Sequence, residues 1–202
     1  ATGATLLSNY TLPTAASGAG AITVAPLTAA VTGTPTRVYN GTTVATLAPA
    51  NYALTGFVSG EGATVTQTAG TYNSKDVVTA TTVSVTLAPT DFTATGATLL
   101  SNYTLPTAAS GAGQITAYAV SMTGVRAYDG TTNVAAGIFT LNPLVGTETL
   151  TLSGTGSVPS ANTGTYPVTL GTLALGDGTN GGLAGNYTFT GGTQTAIIGS
   201  AA

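Results

Sequence analysis

Apolar and polar residues alternate in short runs along this chain. Ala63-Thr64-Val65-Thr66-Gln67-Thr68 does so, as do Val83-Ser84-Val85-Thr86-Leu87 and Glu148-Thr149-Leu150-Thr151-Leu152-Ser153. A period of two turns one face to a core and the other to water, as in half-buried strands of antiparallel sheets. Ile22-Thr23-Val24 and Ile115-Thr116-Ala117-Tyr118-Ala119-Val120 read as further strands. Gly, Pro and Asn clusters break the chain about every 8–12 residues, the spacing of short strands joined by turns. No stretch keeps an i, i+3, i+4 pattern through three helical turns. The pattern predicts an all-β chain.

The strands belong to a larger period. Residues 1–20 recur without change at 94–113, an offset of 93. A second landmark is Arg126-Ala127-Tyr128-Asp129-Gly130-Thr131-Thr132, with a near copy in Arg37-Val38-Tyr39-Asn40-Gly41-Thr42-Thr43. Asn-Gly and Asp-Gly are strong turn signals, because both residues accept positive φ at low cost. Tyr39 and Tyr128 lie 89 apart, so the repeat is about 90 residues long, with small insertions and deletions. The chain divides into 1–21, the closing segment of a preceding repeat, and two full repeats at 22–114 and 115–202. About 90 residues with about seven short strands predict tandem immunoglobulin-like β-sandwich repeats. The alternative is a β-solenoid, whose coils would repeat every ~20–30 residues; no such sub-period is visible.

Composition narrows the setting. Only 4% of residues are charged, with 3 basic and 6 acidic side chains and a net charge of -3. Arg37, Lys75 and Arg126 cannot form the basic stripe that nucleic acid or an anionic membrane surface requires. No apolar run reaches the ~18 residues of a membrane-spanning helix, and residues 1–20 lack the basic start and apolar block of a secretion signal. The segment therefore reads as interior to a longer chain. Cysteine is absent, which suits bacterial surface proteins that cross envelopes before folding better than disulfide-stapled secreted modules.

The Tyr-Asp-Gly-Thr-Thr turn at 128–132, the Thr-rich repeats of about 90 residues and the closing Asn-Tyr-Thr at 186–188 resemble the YDG and related MBG repeats. Those are bacterial Ig-like modules of large filamentous-haemagglutinin-like (two-partner secretion) adhesins. The resemblance covers 22–202, with Asn40 standing where the motif has Asp. It implies a surface-exposed stalk or fibre, exported through a dedicated outer-membrane partner, with no catalytic residues and no cofactor.

The residues themselves offer little for catalysis. Histidine and cysteine are both absent, so the commonest general base and the thiolate nucleophile are missing. The one metal candidate is Asp177 in Asp177-Gly178-Thr179-Asn180, where a single carboxylate falls short of what Ca²⁺ prefers; a plain turn is the better reading. Arg37 and Arg126 share a repeat position, as do Asp91 and Asp177. This predicts one structural ion pair per repeat, Arg37 with Asp91 and Arg126 with Asp177. An isopeptide cross-link through Lys75 is disfavoured, since the second repeat has Asn162-Thr163-Gly164-Thr165 at that place. Asn9, Asn40, Asn102 and Asn186 begin Asn-x-Thr glycosylation sequons. Tyr10, Tyr103 and Tyr187 share one repeat position and are expected in packing roles.

Two classes of function remain. The first is structural: spacer repeats of an adhesin stalk or matrix filament at the bacterial surface, whose partners are neighbouring repeats, with lateral or end-to-end self-association. In a variant, residues 1–21 act as a donor strand completing a neighbour's sheet. The second is a binding module for a glycan, a host protein or ice. Ice binding would use Thr64, Thr66 and Thr68 or Thr149 and Thr151, against the twist of a sandwich sheet.

Overall fold

The computed structural model describes residue 3 and residues 5–201. Residues 1, 2 and 4, which belong to the closing-segment and donor-strand readings, lie outside the described residues. Among the described residues the chain is all-β, with short 3₁₀ turns as its only helical elements. Among the described residues no helix is long and apolar enough to cross a membrane.

The first repeat is built on a four-stranded antiparallel sheet in the order Ala108–Ala112, Thr82–Thr86, Ala69–Tyr72, Val44–Thr46. Thr82–Thr86 follows its period strictly: Val83 and Val85 are buried between exposed neighbours. Thr28–Val31 pairs antiparallel with Tyr52–Thr55, and Gly62–Val65 with Phe92–Thr95. The second repeat joins its strands differently. Phe139–Asn142, Ser121–Ala127, Gln194–Gly199 and Gly164–Pro167 form one sheet, Asn133–Ala135 pairs with Thr155–Ser157, and Leu150–Ser153 pairs with Ala174–Asp177. The result is a sandwich-like β repeat occurring twice.

The strands do not all pair antiparallel, as the alternation alone suggested. Each repeat's opening strand lies parallel to a closing one. Ala25–Pro26 runs beside Tyr103–Thr104, and Thr36–Val38 beside Gln114–Thr116. In the second repeat Tyr118–Ala119 runs beside Tyr187–Thr188, and Ser121–Ala127 beside Gln194–Gly199. A parallel pair needs a long crossover. Here the whole repeat is the crossover, so start and end of the chain are tied together within each repeat.

Two expected strands change place. Ile22-Thr23-Val24 is not a strand; the first begins at Ala25. The run 115–120 is split between repeats: Gln114–Thr116 closes the first, and Tyr118–Ala119 opens the second. Ile115 therefore belongs to the first repeat's core, where it is fully buried. Only Ala117 separates the two strands, so the link has almost no length in which to flex. The cores continue across it: one cluster runs from Val83, Tyr72 and Ile115 through Tyr39 to Val120 and Tyr187. A second cluster, Val134, Val158, Ala196 and Ile198, fills the far half of the second repeat.

Candidate functional site

The Arg-x-Tyr-Asx-Gly-Thr-Thr turns have the same construction in both repeats. Asn40 Oδ1 accepts the Thr42 N–H (3.1 Å) and the Thr42 hydroxyl (2.9 Å). Asp129 Oδ1 accepts the Thr131 N–H and hydroxyl, each at 2.9 Å. Gly41 and Gly130 both have φ of 77°, the left-handed region that glycine enters without a Cβ penalty. The arginine then closes over the turn. Arg37 donates to Asn40 Oδ1 and to the Thr42 carbonyl, and Arg126 makes the matching contacts with Asp129 and the Thr131 carbonyl. What the motif requires is one side-chain oxygen at the Asx position, which amide and carboxylate both supply. In the second repeat the Thr131 N–H, with the Thr131 hydroxyl and the Arg126 guanidinium, holds the Asp129 carboxyl below its ordinary pKa.

This clasp replaces the expected Arg37–Asp91 and Arg126–Asp177 pairs, neither of which occurs among the described residues. The two acids serve their own turns instead. Asp91 Oδ2 accepts the Ala88 N–H (2.7 Å), and Asp177 Oδ1 accepts the Ala184 N–H (2.7 Å). Local hydrogen bonds within a few residues need little chain ordering, so they capture these groups before a distant partner can.

A polar cluster joins the two repeats. The Tyr39 hydroxyl, from the first turn, donates to Glu148 Oε1 of the second repeat (2.6 Å). The Tyr187 hydroxyl donates to the other oxygen, Oε2 (2.6 Å), and receives the Val145 N–H (3.0 Å). The two rings meet edge to face at 5.6 Å, a favourable aromatic geometry. Lys75 Nζ donates to the Tyr39 hydroxyl (3.2 Å) and to Asp76 Oδ1 (3.0 Å), and stands 4.0 Å from Glu148 Oε1. Asp76 Oδ1 also accepts from Asn186 Nδ2 (2.8 Å), and Asn186 Oδ1 accepts the Val77 N–H (2.8 Å). Asn186 is only 1% exposed, and both ends of its amide are satisfied across the boundary.

Electrostatics and hydrogen bonding cooperate here. Burial acts to raise the Asp76 pKa, but the Asn186 hydrogen bond and the Lys75 ammonium outweigh it and lower it below 3.8. The Asp76 hydrogen bond, seconded by Tyr39, holds Lys75 above 10.5. An amine kept as ammonium is a poor nucleophile, which further disfavours an isopeptide at Lys75. Burial, then the Glu148 carboxylate, keeps Tyr39 and Tyr187 protonated above the ordinary tyrosine range.

Other expected sites fall apart from this cluster. Among the described residues no three metal-ligating side chains gather, around Asp177 or elsewhere. Asn180 Nδ2 donates to the Thr147 carbonyl rather than facing a shared centre. The strand Gly62–Val65 ends before Thr66 and Thr68, so Thr64, Thr66 and Thr68 form no continuous row. Asn9, Asn40 and Asn102 are exposed, whereas the Asn186 sequon is enclosed in the joint. Tyr103 and Tyr187 are buried packing residues, while Tyr10 is exposed. A groove of about 550 Å³ lies over Ala69–Tyr72, Thr82–Thr86 and Ala108–Ala112, and none of its lining side chains ionises.

Sequence reasoning missed Glu148, Asp76 and Asn186 as joint residues. A signal existed. The chain's two glutamates both end a Val-x-x-Glu turn, Val58–Glu61 and Val145–Glu148, at matching repeat positions. In the first repeat the Val58 N–H likewise donates to the Tyr103 hydroxyl, which donates to Glu61.

No curated protein and no solved structure matches the chain. The YDG domain is matched twice, over residues 23–111 and 113–196. Two copies of the domain, each with the same clasped turn and the same Glu-Tyr contact, make this chain a member of the YDG domain family.

Proposed function

We propose that these repeats are spacer modules of a stalk or fibre in a large bacterial surface adhesin or extracellular filament, extending a functional tip away from the cell. The observation that carries this reading is the joint. Among the described residues, the salt-bridged cluster that links the two repeats, Lys75 with Asp76 and Glu148, holds one repeat against the next. A short link and a continuous core suit a module whose task is to transmit position. The resemblance to repeats of two-partner secretion adhesins supplies the extracellular setting and the route of export. No catalytic role is proposed. Antibodies raised against residues 23–196 test the setting: they should label intact cells that express the parent chain. Labelling only after the envelope is permeabilised would contradict the reading.

A further inference from the structure

The first repeat carries a second joint face, at its opposite end, built like the one that the second repeat uses. Glu61, Tyr103 and Asn102 stand where the second repeat has Glu148, Tyr187 and Asn186. The internal Glu-Tyr contact is already made, and it borders an open groove shared with Ile22 and Val24. Val58 is 61% exposed and Asn102 is exposed, whereas their counterparts Val145 and Asn186 are packed against the first repeat. Among the described residues Glu61 has no salt bridge, where Glu148 has Lys75.

An independent observation points to what belongs there. The identity of 1–20 with 94–113 aligns Ile22 with Ile115 and Ala25 with Tyr118. Ile115 is 0% exposed, sealed into the core of the repeat it closes; Ile22 is fully exposed, with no repeat around it. Ile22 thus holds the sequence position of a repeat's last core residue and lines the groove beside Glu61 and Tyr103.

We propose that this face docks a preceding repeat of the same kind as 23–116, closed by residues 1–23. Its turn tyrosine and its Lys-Asp pair meet Glu61 and Asn102 as Tyr39, Lys75 and Asp76 meet Glu148 and Asn186. The charges are complementary, and the geometry continues the joint already present. The far end of the second repeat is a poor occupant, because it keeps Tyr128 but has no Lys-Asp pair in residues 158–163. The proposal rests on the reading of this chain as part of a longer tandem array.

The identity at 1–20 allows a seamless test: residues 23–93 placed directly before Ala1 add one complete repeat to the full chain. Since the chain has no cysteine, two introduced cysteines are the only spin-label sites. T64C with T151C measures the present joint, and T64C in the added and original repeats measures the new one. Both should give narrow distance distributions with the same mean. E61Q with N102A in the original repeat should broaden the new distribution and leave the Thr64–Thr151 distribution narrow. A broad new distribution with the added repeat folded, by circular dichroism, overturns the docking and leaves the array reading standing. An added repeat that does not fold overturns both.

Discussion

Tyr39 and Tyr128 occupy the same place in the same clasped turn, yet one is 0% exposed and the other 45%. The two clasps present them alike, although Tyr39 also receives Lys75 Nζ of its own repeat. The larger difference is the neighbour: Tyr39 is covered by Glu148, Tyr187 and Val120 of the next repeat, and Tyr128 is not. The turn therefore has two separable parts. The Arg-Asx-Gly-Thr clasp is a local device built the same way in each repeat. The tyrosine beside it is presented outward, and its value depends on what docks there.

The sharpest way to break that comparison is to truncate both tyrosines. Y39A should destabilise the chain by about 3–5 kcal/mol, the range for deleting a fully buried aromatic, and Y128A by a small fraction of that. Urea unfolding curves compare them directly. Equal losses would mean that the repeat, and not its neighbour, sets the role of the tyrosine. Next in size is the isoleucine pair. I115A should cost about 2–5 kcal/mol through the cavity it leaves, whereas I22A in this chain should leave the unfolding midpoint unchanged.

A smaller loss follows from E148Q, which weakens two charge-assisted hydrogen bonds and removes the anion facing Lys75. About 1–3 kcal/mol is expected from the loss of such bonds, read as a lower melting temperature. E61Q should lower it less, because only one tyrosine meets that carboxylate.

How much of this was legible in the residues differs by range. The strand at 82–86 could be read directly, since alternation of Val83 and Val85 with polar neighbours has one physical solution. The repeat and its marker turn were equally plain from identity and from Asn-Gly chemistry. The arginine's partner was not. Matching positions pointed to Asp91 and Asp177, but Asx turns and short 3₁₀ caps satisfy groups within a few residues, and local closure won. The joint was least legible, because Tyr39–Glu148 and Asp76–Asn186 contacts span over 100 residues. Only the recurrence of Val-x-x-Glu hinted at them. The boundary strand at 114–116 also escaped, since alternation cannot say which repeat a strand pairs with.

The joint's pH response is a milder test. Asp76 has a folded pKa below its ordinary value, so its contribution is complete above 3.8 and fades as pH falls through the folded pKa. Lys75 and Tyr39 are both held above their ordinary values, so theirs is complete below those values and is lost as pH rises through the folded pKa. Melting temperature against pH should show a plateau between an acid and an alkaline decline, and K75M should remove the lysine's share of the alkaline limb. Smallest of all is D129N, which keeps the side-chain oxygen that the clasp uses. Unfolding curves should superimpose on those of the parent, as the natural Asn40 foreshadows.

The central claim is that the Tyr39–Glu148–Lys75 joint makes the two repeats one rigid body. Residual dipolar couplings from backbone amides of both repeats test it most directly. Couplings from 25–116 and 118–199 should fit a single alignment tensor, and E148Q with Y39A should separate them into two. Two distinct tensors in the unaltered chain would contradict it.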